Sequence, residues 1–178
     1  VDEIQTGIGR TGKFWGFEHF EIIPDIIISG KGLGGGMPIG AFIAQKNLMD
    51  VLKEHPTLGH ITTFGGHPVI ASAGVATVNT IQNSTLIEDT LEKEQLIRSL
   101  LKHPLIKEIR GKGLMLAVLV ESPEIAAKII HRCLANGLIL FFLLFEGRAI
   151  RITPPLTISK KEISKGCKIL LETLDELS

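Results

Sequence analysis

The sequence predicts an α/β protein, and three observations carry that expectation. Short apolar runs bounded by Gly or Pro read as buried strands. Stretches of helical periodicity alternate with them, as in a layer of helices on a sheet. From about Ser84 the texture changes to longer amphipathic helices among a few strands, a small α+β arrangement. The expected division is 1–83 and 84–178.

In the first part the candidate strands are Val1 to Ile4, Ile26 to Ser29 and Ile39 to Ala44. A helix is expected from Asn47 to Glu54. Pro68 to Ile81 has the small residues of a close-packed helix. In the second part Leu86 to Leu101 places Leu91, Leu96 and Leu100 among charges, which predicts a long connecting helix. An apolar strand follows from Leu114 to Val120, then a helix opening at Ser122-Pro123-Glu124. Two further strands come next, and the run Leu138 to Phe145 reads as buried. The final helix has Ser159 as its N-cap and Glu162 at capping-box spacing. The chain opens on Val1 inside an apparent strand, so it is expected to be a fragment of a longer protein.

Composition narrows the function class. Hydrophobic residues make up 44% and charged residues 21%, enough for a packed core and against disorder. Lys plus Arg equals Asp plus Glu at 19 each, which gives no electrostatic footprint for nucleic acid or an anionic membrane. The run Leu138 to Phe145 is too short to span a bilayer. Cys133 and Cys167 lie far apart on helical patterns, outside any CxxC, and read as buried free thiols in a reducing cytoplasm. The histidines show no ligand spacing. His55, His60 and His67 cluster only loosely near a loop, so no metal site is expected.

Two glycine-rich segments imitate nucleotide sites. Gly7-Ile8-Gly9-Arg10-Thr11-Gly12-Lys13-Phe14 nearly spells a phosphate loop, but Phe14 stands where a magnesium-binding hydroxyl is required and no helix follows convincingly. Gly30-Lys31-Gly32-Leu33-Gly34-Gly35 matches GxGxxG, yet Met37-Pro38 and a strand-like segment follow where the dinucleotide fold needs a helix. What remains is Lys31. A lysine in a Gly-rich turn is usually a solvated loop residue. This one is delivered to a fixed place by the apolar Ile26-Ile27-Ile28, among glycines that admit a planar group. Desolvation there would lower its amine pKa, as Schiff-base chemistry at neutral pH needs. Asp2, Glu3 and Gln5 are polar residues in an apolar stretch, either exposed or functional.

The ordered set Asp2-Glu3-Ile4-Gln5-Thr6-Gly7, Gly9-Arg10-Thr11-Gly12, Pro24-Asp25-Ile26, Lys31-Gly32-Leu33-Gly34-Gly35-Gly36 and Thr63-Phe64-Gly65-Gly66 resembles the class III aminotransferases. That family includes the ornithine, acetylornithine and 4-aminobutyrate enzymes, and the resemblance runs the whole length of the chain. It implies a pyridoxal-phosphate-dependent transferase of fold type I. Residues 1–83 would be the C-terminal part of the large mixed-sheet, cofactor-binding domain, and 84–178 the connecting helix and small domain.

By that resemblance Lys31 forms the Schiff base and then serves as the proton-moving base. Asp2 pairs with the pyridine nitrogen, Gln5 lies near the phenolic oxygen, and Thr63 contacts the phosphate across a homodimer interface. Arg151, in Arg151-Ile152-Thr153-Pro154-Pro155-Leu156, resembles the arginine that grips a substrate carboxylate, with Arg148 close by. His67 departs from the Asn that many members carry after the two glycines. The implied reaction moves an amino group from an amino acid or ω-amine to a 2-oxo acid such as 2-oxoglutarate. The alternatives are a mutase, decarboxylase or racemase of the same superfamily, or a non-catalytic fragment. The 178 residues by themselves are expected to be inactive.

Overall fold

The computed structural model describes residues 1–54, 56 and 61–178. The chain divides into two compact units, Val1–Thr85 and Leu86–Ser178.

In the first unit, β1 (Ile26–Gly30) and β2 (Gly40–Ala44) pair antiparallel, from Ile26 opposite Ala44 to Gly30 opposite Gly40. The expected strand from Val1 to Ile4 is reduced to a single parallel bridge, Asp2 beside Ile28. The cause is local. Asp2 Oδ1 accepts the Ile4 N–H at 2.9 Å, and the Gly7 N–H donates to the Glu3 carbonyl at 3.0 Å, so turn bonds replace the ladder. Between β1 and β2 the chain makes a 3₁₀ turn, Lys31–Gly34, closed by Gly35 at φ +57°. A Cβ at Gly35 would collide with Thr77 on the following long helix, so the turn needs both the conformation and the small size.

The helix expected from Asn47 to Glu54 is α1 (Lys46–Asp50) continued by 3₁₀ residues Val51–Lys53. Helix α2 spans Pro68–Gln82, with Pro68 at a first-turn position where no amide donor is missed. His55 and His60 lie outside the described residues.

The second unit has a continuous core. Helix α3 (Leu86–Leu100) leads to the hairpin β3 (Glu108–Lys112) and β4 (Met115–Leu119), then α4 (Pro123–Ala135), β5 (Phe141–Phe142), β6 (Ala149–Ile152) and α5 (Lys160–Asp175). The four strands form an antiparallel sheet in the order β3-β4-β6-β5. Strand β3 has no sequence signal because its residues Glu108, Arg110 and Lys112 are those of a charged edge. Leu114, Val118, Ile129, Ile150 and Leu174 are fully buried between sheet and helices. Each contributes about 1.5–3 kcal/mol of apolar burial.

Ser122 caps α4 by accepting from the Ile125 N–H, and Ser159 and Glu162 form the expected capping box of α5. The run Leu138 to Phe145 departs from expectation. Only Phe141 and Phe142 join the sheet, at its edge, and Leu144 and Phe145 are 83% and 101% exposed. An edge strand is paired on one side only.

Cys133 and Cys167 are buried and free. Burial pushes both thiols up, Cys167 to about 11, which makes them poor nucleophiles. Among the described residues no cluster of His, Cys, Asp and Glu could hold a metal, and no helix is long and apolar enough to cross a membrane.

Candidate active site

Strand β1 leads directly into Lys31, whose φ of +42° lies in the left-handed region that non-glycine residues avoid. Such strain persists only where the surroundings enforce it, and it clusters at functional sites. The turn is wedged from below: a Cβ on Gly32 would lie 3.5 Å from Ile8, a buried residue also at positive φ. The Gly7–Gly12 loop and the lysine turn thus hold each other. Lys31 is exposed. Its amine has no partner among the described residues.

A cleft of ≈1180 Å³ opens beside the lysine, with Ile4, Ile28, Lys31, Thr62, Gly65 and Gly66 on its wall. Asp2 is bridged to the strand that delivers Lys31. Its Oδ1 is occupied by the Ile4 N–H, while Oδ2 has no partner among the described residues. Gln5 and Thr63 are exposed and likewise unpartnered among the described residues. Asp2, Gln5 and Thr63 flank the cleft wall in sequence and are not part of it. The described structure therefore brings Lys31 and the Thr62–Gly66 turn to one cleft.

Glu3 is the residue that sequence reasoning undervalued. It is 3% exposed, and its carboxylate accepts from the Gly16 N–H at 2.9 Å, the Phe17 N–H at 2.7 Å and the Thr6 hydroxyl at 2.5 Å. It therefore occupies the Gly16 and Phe17 amide donors at the start of the 3₁₀ turn Gly16–Phe20.

In the second unit, Arg98, Arg110, Arg132 and Arg148 each pair with a carboxylate. Arg148 is held by Glu146 at 2.8 Å and 3.0 Å, and it lowers the Glu146 carboxyl to about 2. Arg151 differs. Half-buried on β6, its side chain has no hydrogen bond or ion pair among the described residues, and its Nε is buried without an acceptor. A buried Lys93 on α3 donates to the Leu156 carbonyl at 2.5 Å and so ties down the loop that follows Arg151.

The Aminotransferase class-III family model matches residues 1–174. An acetylornithine aminotransferase from Caldanaerobacter subterraneus subsp. tengcongensis is 40% identical over 182 residues, covering 99% of this chain and 44% of the relative. A leucine/methionine racemase from Thermococcus litoralis is 40% identical over 179 residues, covering 93% of this chain and 39% of the relative. The ornithine aminotransferase of Toxoplasma gondii, solved with pyridoxal phosphate at partial occupancy in its active site, superposes with a TM-score of 0.89 at 34% identity. That match covers 99% of this chain and 42% of the other. The chain thus spans less than half the length of these relatives.

Proposed function

The chain belongs to the class III aminotransferases, and from that premise we propose that the protein containing it transfers amino groups with pyridoxal 5'-phosphate as cofactor. The observation that carries the proposal is the pairing of Lys31, strained and unpartnered at the end of β1, with Asp2, bridged to that same strand. The donor set fits the cofactor: a primary amine, a carboxylate with one free oxygen, unpartnered amide and hydroxyl groups, and an open cleft.

Bound pyridoxal phosphate supplies a ring that takes up electrons as a substrate Cα–H bond breaks. Asp2 Oδ2 would hold the proton on the ring nitrogen. Gln5 would hydrogen-bond the phenolic oxygen. Lys31 Nζ would hold the cofactor and, as a primary amine, would serve as the base that moves the substrate proton. Thr63 would donate its hydroxyl to the cofactor phosphate held by a second copy across a homodimer interface. Arg151 receives a carboxylate of the amino acid or the 2-oxo acid, since its fork is unclaimed by any protein acceptor among the described residues. The large-domain part is 1–83 and the small domain 84–178. Two free, unreactive thiols accord with a cytoplasmic location.

Borohydride reduction of the full-length protein with bound cofactor, followed by peptide mapping, tests the assignment. The label is expected on Lys31; a label on any other lysine overturns it. The racemase relative supports one second reading, inversion at Cα on the same residues. Product analysis separates the two, because racemisation proceeds without a 2-oxo acid acceptor and transamination stops.

A further inference from the structure

We propose that Phe141 is a positioning residue for Arg151, holding the guanidinium plane so that its N–H edge meets a substrate carboxylate. The inference rests on the reading of Arg151 given above. Phe141 and Arg151 are directly opposed in the β5–β6 ladder, so their side chains share one face of the sheet. The Arg151 Cζ lies 5.3 Å from the centre of the Phe141 ring, within cation–π range.

This ring is the one group among the described residues that engages the guanidinium specifically. The other arginines of the unit are oriented by carboxylates. A carboxylate partner would occupy the N–H edge and compete with a ligand for it. An aromatic face does not compete. It attracts the cation through the π-cloud, while the donors lie in the guanidinium plane and point past the ring. A second carboxylate can then bind edge-on with both oxygens. Phe141 is itself 52% exposed, so the stack sits at an accessible edge of the sheet. The ring thereby orients Arg151 without neutralising it.

The test uses the full-length enzyme with its preferred donor amino acid and with the decarboxylated amine of that donor. Phe141→Leu is expected to raise KM for the amino acid about tenfold while kcat stays within about twofold, and to leave the amine's KM unchanged. Phe141→Trp, which keeps a ring face, is expected to restore KM to within about twofold of the parent. Phe141→Met offers apolar bulk without a ring should the leucine variant not fold, and the same tenfold rise is expected.

In an Arg151→Lys background, itself raised in KM, Phe141→Leu should add nothing, because the planar group it orients is gone. Equal losses on both donors, or independent effects in the double variant, make Phe141 merely structural and overturn the inference. An unchanged KM in Phe141→Leu beside a raised KM in Arg151→Lys overturns the inference alone. An unchanged KM in Arg151→Lys overturns the carboxylate reading beneath it.

Discussion

The two units divide labour differently between packing and chemistry. In Leu86–Ser178 apolar side chains from α3, β4, α4, β6 and α5 meet in one buried cluster. In Val1–Thr85 the buried side chains are a mixed set, with Ile8 and Ile81 beside Glu3, Thr11 and Ser29. Apolar residues such as Ile28, Ile43, Phe64, Val69 and Val75 are exposed there. Yet this loosely covered unit carries Lys31, Asp2, Gln5 and Thr63. Its order comes from polar clamps and tight turns, chiefly the Glu3 carboxylate and the strained Lys31 and Ile8 backbones. Stability and chemistry should therefore respond to different substitutions.

The largest expected effect falls on chemistry alone. In the full-length protein Lys31→Ala should lower amino transfer by a factor of 10³ or more, on the order of removing both a covalent anchor and a general base. Its visible cofactor absorbance should vanish while the apo-protein melting temperature stays put. A large fall in melting temperature would show that Lys31 is structural as well. The 178 residues by themselves should give no steady amino transfer with added cofactor, because Lys31 is exposed beside an open cleft. Steady turnover by a monodisperse preparation would contradict this.

Leu170→Ala makes the converse cut. Leu170 is 1% exposed in the core of the second unit. Its truncation should destabilise by about 2–5 kcal/mol, most of it the cavity left behind. The cofactor spectrum of the protein that remains folded should not change. A spectral shift at full folding would break the separation of the two units.

How far the sequence reaches follows the same divide. Where one period and one cap set an element, as in α4 behind Ser122 or α5 behind Ser159, the start is legible to the residue. Where a side chain redirects the backbone, it is not. The Asp2 carboxylate converts an apparent strand into a turn, and the apolar run Leu138 to Phe145 says nothing of being an edge. Lys31 stands out by exclusion of two glycine motifs, but its strain is a backbone property that residue type does not carry. Arg151 is suspect from sequence through resemblance. That it lacks a carboxylate while Arg148 keeps one depends on Glu146, and only the structure assigns Glu146 to one arginine.

Glu3 tests whether the polar clamp, rather than a core, orders the first unit. Glu3→Gln replaces one acceptor oxygen with an amide donor that must face Gly16 N–H, Phe17 N–H or the Thr6 hydroxyl. Loss of a charged acceptor for buried donors should cost about 1.5–3 kcal/mol. Because Glu3 is adjacent to Asp2, kcat should fall as well, unlike in Leu170→Ala. A fall in stability with kcat unchanged would reduce Glu3 to a scaffold residue.

The smallest effect sharpens the other side of the comparison. The capping box of α5 lies on the surface of the well-packed unit, where the Glu162 N–H donates to the Ser159 hydroxyl at 3.2 Å. The Ser159 N–H donates to Glu162 Oε2 at 2.8 Å, and the hydroxyl donates to the same oxygen at 2.7 Å. Ser159→Ala should cost about 1 kcal/mol, the usual loss of an N-cap, and lower melting by a few degrees. The hydroxyl, and after it the backbone N–H of Ser159, hold the Glu162 carboxyl below its ordinary value of 4.5. A carboxyl lowered in the folded state adds stability above that ordinary value and loses it as pH falls through the folded one. The penalty of Ser159→Ala should thus be largest near neutral pH and shrink below pH 4.5. Melting curves of parent and variant across that range check the sign. A penalty that grows in acid would mean that the cap acts through the Ser159 oxygen alone, with no part played by the Glu162 charge.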